Sequence, residues 1–362
     1  MKKVGIVTIT SGNNFGNRLQ NYALTNIIEK NGYICETIHN NDKKSIKALV
    51  KSFLKNTIFY KKYYRENNRN KSFKRFNKSY IKFSNEYVTN NDSKGIENKY
   101  DYFVCGSDQI WNLNYKENGF INFLGFCNSS KKISYSASFG SNFIPNDYNV
   151  MIKKWLMDYK AISVRENSGL DIIKHITNNK KNAIVTLDPT LLLDANEWKN
   201  VEKKPLYDVP NNYLLMYFLG ELSDYDKNII KIYAKENDLE IIDLYDKESK
   251  YYESGPSEFL YLERNAKIIC TDSYHSCVFS FIFNIPFIVF ERKEKGLVNM
   301  NARIDTLLNN FKLDGRKFDG KHISKENIIH DYKEGFDILN VEKNKSLNYL
   351  LSSLKEGGTH DE

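Results

Sequence analysis

One short stretch, Thr271-Asp272-Ser273-Tyr274-His275-Ser276, concentrates groups that could carry acid–base chemistry. It follows an apolar run at 266–270 and precedes another at 278–283, so a strand leads through it into a buried helix. A helix N-terminus offers unpaired N–H groups and a positive dipole end, which suits an anion. A histidine placed there can give or take a proton near neutral pH. His275 is therefore the candidate catalytic residue. The plainer alternative is a core histidine on a helix capped by Ser273 or Asp272.

Arginines at strand ends could supply matching cations. Arg165 follows a short strand at 161–164 with Glu166 beside it, and Arg292 follows the strand 286–290, the next after His275. Arg303 is a further candidate, and Arg18 follows the first loop. A guanidinium holds carboxylate or phosphate through two parallel hydrogen bonds, although each of these side chains also reads as surface charge.

Two polar loops suit a hydroxyl-rich ligand. The loop 12–17 offers Asn14 and Asn17 between glycines, but no Gly-Lys-Ser/Thr follows, so it is not a P-loop. The segment 106–112 combines Asp108, Gln109 and Trp111. A carboxylate and an amide beside an indole face can hold a sugar, and the same residues also read as a capped turn over a core Trp. There is no HExxH, no Cys/His pair at metal spacing and no GxSxG, so no metal is expected.

These residues need elements to hold them. Strands are expected at 4–9, 33–38, 100–105, 132–136, 161–164, 183–186, 213–218, 240–245, 266–270 and 286–290. Helices are expected at 19–30, within 43–85, and at 168–176, 222–237, 259–264, 278–283, 304–311 and 341–354. Strand and helix alternate, which predicts an α/β protein of two Rossmann-like domains with ligands at the carboxyl ends of the strands. The Pro- and Asn-rich stretch 205–212 is the expected boundary. It separates domain 1–205, which carries a basic helical insertion at 41–85, from domain 206–354, with a tail at 355–362.

The chain has 362 residues, 41% hydrophobic and 27% charged, enough for two cores and against disorder. Five cysteines without CxxC spacing argue against a disulfide framework and for a reducing cytosol. The apolar run 278–290 is too short to span a bilayer. The net charge is +8, but residues 41–80 hold 13 Lys/Arg against 2 Asp/Glu. One basic segment on a near-neutral body argues against a nucleic-acid binder and for an anionic ligand or membrane surface.

Taken in order, seven segments resemble the polysaccharide pyruvyl transferase family. They are Gly12-Asn13-Asn14-Phe15-Gly16-Asn17-Arg18-Leu19-Gln20-Asn21-Tyr22-Ala23-Leu24, Cys105-Gly106-Ser107-Asp108-Gln109-Ile110-Trp111-Asn112, Tyr135-Ser136-Ala137-Ser138-Phe139-Gly140, Ser163-Val164-Arg165-Glu166, Leu187-Asp188-Pro189-Thr190-Leu191-Leu192-Leu193, Thr271-Asp272-Ser273-Tyr274-His275 and Asn284-Ile285-Pro286-Phe287. The resemblance implies a fold similar to the GT-B glycosyltransferases. It implies transfer of pyruvate from phosphoenolpyruvate to a sugar, as a cyclic ketal, in capsule, exopolysaccharide or cell-wall glycan synthesis. Phosphoenolpyruvate would be a co-substrate, with no further cofactor.

By the same resemblance, His275 matches the catalytic histidine and Arg165 the donor-binding arginine; the polar loops leave Asn14, Asn17, Asp108, Gln109 and Trp111 for the acceptor. One position departs: Ser273 stands where many members carry Arg, so Arg292 or Arg303 would take over that donor contact. A lipid-linked oligosaccharide acceptor would place this cytoplasmic enzyme at the inner face of the plasma membrane, through its basic segment. Two other classes share the geometry: a nucleotide-sugar-dependent glycosyltransferase and a non-catalytic glycan-binding relative.

Overall fold

The run Lys3–Val7 carries apolar side chains on consecutive positions, which suits a strand covered on both faces. It is the central strand, β1, of the first sheet in a computed structural model that describes residues 1–40, 63–89, 93, 95–114, 119–292, 302–323 and 331–355. β2 (Ile34–His39), β3 (Phe83–Tyr87), β4 (Tyr102–Cys105) and β5 (Lys132–Ser134) complete it in the order β3-β2-β1-β4-β5. Every pairing is parallel. Two short strands, β6 (Ser163–Val164) and β7 (Ile184–Val185), pair with each other and touch β5 and the segment after it through bridges at Ala161 and Val164. β8 (Tyr213–Tyr217), β9 (Glu240–Asp243), β10 (Ile268–Thr271) and β11 (Phe287–Val289) form a second parallel sheet, ordered β11-β10-β8-β9.

Both sheets reverse their strand order beside the first strand, and at such a point the loops part and leave a crevice. The reversals lie between β1 and β4 and between β8 and β10. The helices are α1 (Phe15–Lys30), α2 (Tyr64–Tyr80), α3 (Asn149–Met157), α4 (Asn167–Thr177), α5 (Ala195–Lys199), α6 (Asp224–Glu236), α7 (Pro256–Asn265), α8 (Tyr274–Ile282), α9 (Ala302–Asn310) and α10 (Lys333–Ser353).

Three departures from the sequence reading matter. α1 starts at Phe15, not 19, because the Asn14 side chain accepts from Asn17 N and caps it, so Gly16, Asn17 and Arg18 form its first turn. Of the expected helical insertion, 41–62 lie outside the described residues; Tyr64–Tyr80 is helix, and its end is the strand β3. α10 starts eight residues early and turns back to the first sheet, where Tyr349 OH donates to Ser134 O at 2.9 Å and Leu187 N to Ser346 Oγ at 3.0 Å.

Phe15 ties the two halves together. Its ring stacks on Phe259 at 4.6 Å and Phe73 at 5.4 Å, and meets Tyr217 at 5.3 Å. Truncating so buried a ring costs about 3–5 kcal/mol, so the approach of α1 to the second sheet rests on substantial packing. All five cysteines are buried and unpaired. Among the described residues no helix is long and apolar enough to cross a membrane.

Candidate active site

The first turns of α1 and α8 meet face to face. His275, in the first turn of α8, lays its imidazole on Gly16: a Cβ at position 16 would stand 2.0 Å from Nδ1 and 2.4 Å from Cγ. Only the absence of a side chain there leaves the ring its place. His275 is 6% exposed, and its Nε2 faces Asp188 Oδ2 at 3.7 Å with no hydrogen-bond partner.

Asp188 is fully buried and gathers donors: Thr190 N at 3.0 Å, Thr190 Oγ1 at 2.7 Å, Ser107 Oγ at 3.1 Å and Arg165 Nη1 at 2.7 Å. Burial alone would push its carboxyl up, but His275 and Arg165 hold it well below the usual carboxylate range. Arg165 also donates to Asp108 Oδ1 at 2.9 Å, and Arg303 reaches the same oxygen at 3.3 Å. Asp108 sits at φ 64, a left-handed turn after β4 that Asp tolerates. Burial would raise its carboxyl too; Arg165, His275 and Arg303 lower it.

Between two carboxylates, Arg165 keeps its proton firmly, whereas burial and the neighbouring Arg165 lower Arg303 to about 10. The Tyr274 ring lies under both guanidiniums, 4.6 Å from Arg165 and 5.9 Å from Arg303. The Nε of each arginine makes no hydrogen bond, and that of Arg165 lies 3.9 Å from Glu166 Oε2. Glu166 accepts from Ser138 Oγ at 2.8 Å and Phe139 N at 3.2 Å, and burial raises its carboxyl.

His275, Arg165, Arg303 and Asp108 therefore share one site. Gln109 joins them: with its amide oxygen toward Arg303 it accepts from Nη2 at 2.6 Å and Nη1 at 3.1 Å. Ser273 is the N-cap of α8, two residues from His275, and makes no side-chain cap bond. Arg292 pairs with Asp272, with Nε to Oδ2 at 3.0 Å, and its charge helps to lower Arg303. Asn14 and Asn17 stand in the cap and first turn of α1, Asn14 spending its oxygen on Asn17 N at 3.1 Å.

Trp111 is a correction. It has no exposed surface; Phe123, Phe139 and Tyr159 surround its ring, and Nε1 donates to Asn122 O at 3.1 Å. An indole enclosed in this way has no face left for a sugar.

Gly16, Asp188, Tyr274 and Gln20 complete the site and were not singled out from the sequence. Gln20 reaches from α1 to accept from Ser107 N at 3.0 Å, fixing the loop that carries Asp108. Asp188 had a signal, a polar residue directly after the strand 183–186. Gly16 stands in the first family segment, but nothing along the chain shows that its missing side chain makes room for His275.

The sequence profile of the polysaccharide pyruvyl transferase family matches residues 14–294. The chain belongs to this family. All the site residues named above except Arg303 fall within the matched span, and membership makes the protein a transferase. No curated protein sequence matches the chain. The UDP-N-acetylglucosamine 2-epimerase of Rickettsia bellii is a structural neighbour at 11% identity and a TM-score of 0.52, covering 98% of this chain and 97% of that one. The UDP-GlcNAc 2-epimerase of Methanocaldococcus jannaschii has 14% identity and a TM-score of 0.48, covering 94% and 93%. At such identities the likeness concerns the fold alone. This family member is an α/β protein of two Rossmann-like units in the GT-B-like arrangement.

Proposed function

We propose that the chain moves pyruvate from phosphoenolpyruvate onto a sugar of a bacterial surface polysaccharide or cell-wall glycan precursor, as a cyclic ketal. The observation that carries this reading is the buried His275 with an unbonded Nε2 beside a cluster of two arginines. A sugar hydroxyl adds to the enol carbon while the methylene takes up a proton and becomes the methyl group. The carbon–oxygen bond to phosphate then breaks, and a second hydroxyl closes the ring as its proton leaves with phosphate. His275 relays the first hydroxyl's proton to the methylene, work worth about 10²–10⁴-fold. The gap to Asp188 closes to a hydrogen bond as substrate tightens the site, as catalytic contacts commonly do.

Arg165 and Arg303 meet the donor's carboxylate and phosphate, each with an Nε that makes no hydrogen bond within the protein. Asp108 and Gln109 orient acceptor hydroxyls. A lipid-linked acceptor would bring α2, with Arg65, Lys71, Lys74, Arg75 and Lys78, toward an anionic membrane surface.

The test is ligand-induced thermal stabilisation with phosphoenolpyruvate against UDP- and GDP-sugars. A ligand at 100 times its dissociation constant adds about 2.7 kcal/mol. Stabilisation by phosphoenolpyruvate that is lost in Arg165→Ala, followed by acceptor-dependent phosphate release that is lost in His275→Ala, supports the reading. Stabilisation by nucleotide sugars alone replaces it with glycosyl transfer.

A further inference from the structure

A second cation stands on the other flank of α1. Arg18 is 5% exposed, and its Nη2 donates to Gly12 O at 2.6 Å, while Nε and Nη1 have no partner. Arg69 of α2 reaches the same loop, donating to Tyr252 O at 2.8 Å and to Asn13 O at 3.5 Å. Both guanidiniums face the Phe73 ring, at 5.8 and 5.4 Å. Among the described residues no carboxylate pairs with either, and the first turn of α1 holds no acidic residue. The loop that carries the carbonyl of Gly12 is exposed: at its φ of 69 a Cβ would meet nothing within 4 Å.

A buried guanidinium without a counter-charge is held only by carbonyl oxygens, which are weaker acceptors than an anion. Burial lowers Arg18 to about 10, which still leaves it charged near neutral pH. The helix end contributes N–H groups and a positive dipole end to the same place. Residues 16 and 18 lie about 200° apart around the helix, so Arg18 and the His275 contact occupy opposite sides of one turn.

We propose that Arg18 and the N-terminal turn of α1, flanked by Arg69, form a phosphate-binding subsite separate from the His275 cluster. The phosphate belongs to a substrate: the acceptor's carrier phosphate or, with Arg165 and Arg303 then holding only the donor's carboxylate, the donor's own. Only that attribution rests on the pyruvyl-transfer reading; phosphate affinity at Arg18 is measured without turnover and stands or falls independently.

The experiment compares the full-length protein with Arg18→Met and Arg18→Lys by thermal shift and calorimetric titration, at constant ionic strength, with pyrophosphate and phosphoenolpyruvate. Arg18→Met keeps the apolar stem and removes the charge. Without ligand it should melt no lower than wild type, because an unpaired buried charge is gone, whereas a purely structural arginine would lower the melting point. The dissociation constant for one of the two phosphates should rise about tenfold or more, with Arg18→Lys in between. A loss confined to pyrophosphate assigns the acceptor's phosphate, and a loss confined to phosphoenolpyruvate assigns the donor's. Wild-type affinity for both ligands in Arg18→Met overturns the proposal, as does failure of wild type to bind either. Arg18→Lys, which keeps the charge but not the fork, carries the comparison should Arg18→Met not fold.

Discussion

Arg165 and Arg18 are both buried arginines beside the crevice, yet they are held in opposite ways. Arg165 lies between Asp108 and Asp188 and over Tyr274, so its charge is matched by the protein. Arg18 has a carbonyl and the ring of Phe73 and no carboxylate among the described residues. Glu263 is the mirror image of Arg18: a fully buried carboxyl whose partners are the hydroxyls of Ser276 at 2.5 Å and Ser280 at 3.4 Å. Burial raises Glu263 well above the carboxylate range, so it neutralises itself with a proton. An arginine cannot shed its proton in this way near neutral pH. Matched charges position; an unmatched carboxyl disappears; an unmatched guanidinium waits for an anion.

The strongest way to sharpen this contrast is to remove the group that the matched cluster serves. His275→Ala should lower acceptor-dependent phosphate release about 10²–10⁴-fold, with the melting temperature nearly kept. Turnover close to wild type would strip the cluster of its acid–base role.

Next, Asp188→Asn breaks the matched pair and leaves Arg165 under-compensated, which should cost about 3–5 kcal/mol in denaturant unfolding. The pH dependence has a definite sign. The folded carboxyl lies below its unfolded value of about 3.9, so it stabilises above that pH, and this stability drains as pH falls through the folded value. The stability curves of wild type and Asp188→Asn should therefore converge on acidification; parallel curves would show that Asp188 is not the linked group.

A smaller change tests the packing that aims the histidine. Gly16→Ala places a methyl where the imidazole lies and should reduce turnover about 10²-fold by displacement. Alanine favours a helix over glycine by about 1 kcal/mol, so stability should hold. Unchanged turnover would mean that the ring tolerates another position.

The smallest expected effect is Glu263→Gln. Because the folded carboxyl is raised, its contribution is complete below about pH 4.3 and is lost as pH rises toward the folded value. The neutral amide avoids that loss, so the variant should match wild type in acid and equal or exceed it near neutral pH, within about 1 kcal/mol. Lower stability at every pH would place an ionised carboxylate there and break the mirror with Arg18.

Much of the scaffold was written in local pattern. Among the described residues, β-branched runs and helical spacings mark ten of the eleven strands and most of the helices, because burial on one face or on both leaves a period in the sequence. The missed β3 is a polar edge strand, and α3 has no side-chain cap at Tyr148 to mark its start. The segments carrying His275, Arg165, Asp108 and Gln109 were legible as polar residues at strand ends, and their order along the chain identified the family.

What pairs with what was not legible. That Trp111 turns into the core, that Arg292 is taken by Asp272, and that Arg165 lies between two carboxylates depends on side chains far apart in sequence. Gly16 and Arg18 show the limit most sharply. The sequence by itself determined two Rossmann-like sheets and a histidine at a helix start, since those follow from neighbours along the chain. Only the tertiary structure decided that this histidine rests on a glycine of the other half, and that an arginine two residues on is buried with no counter-ion among the described residues. The reason is that burial and charge matching are properties of the space around a group, set by elements that meet only when the chain folds.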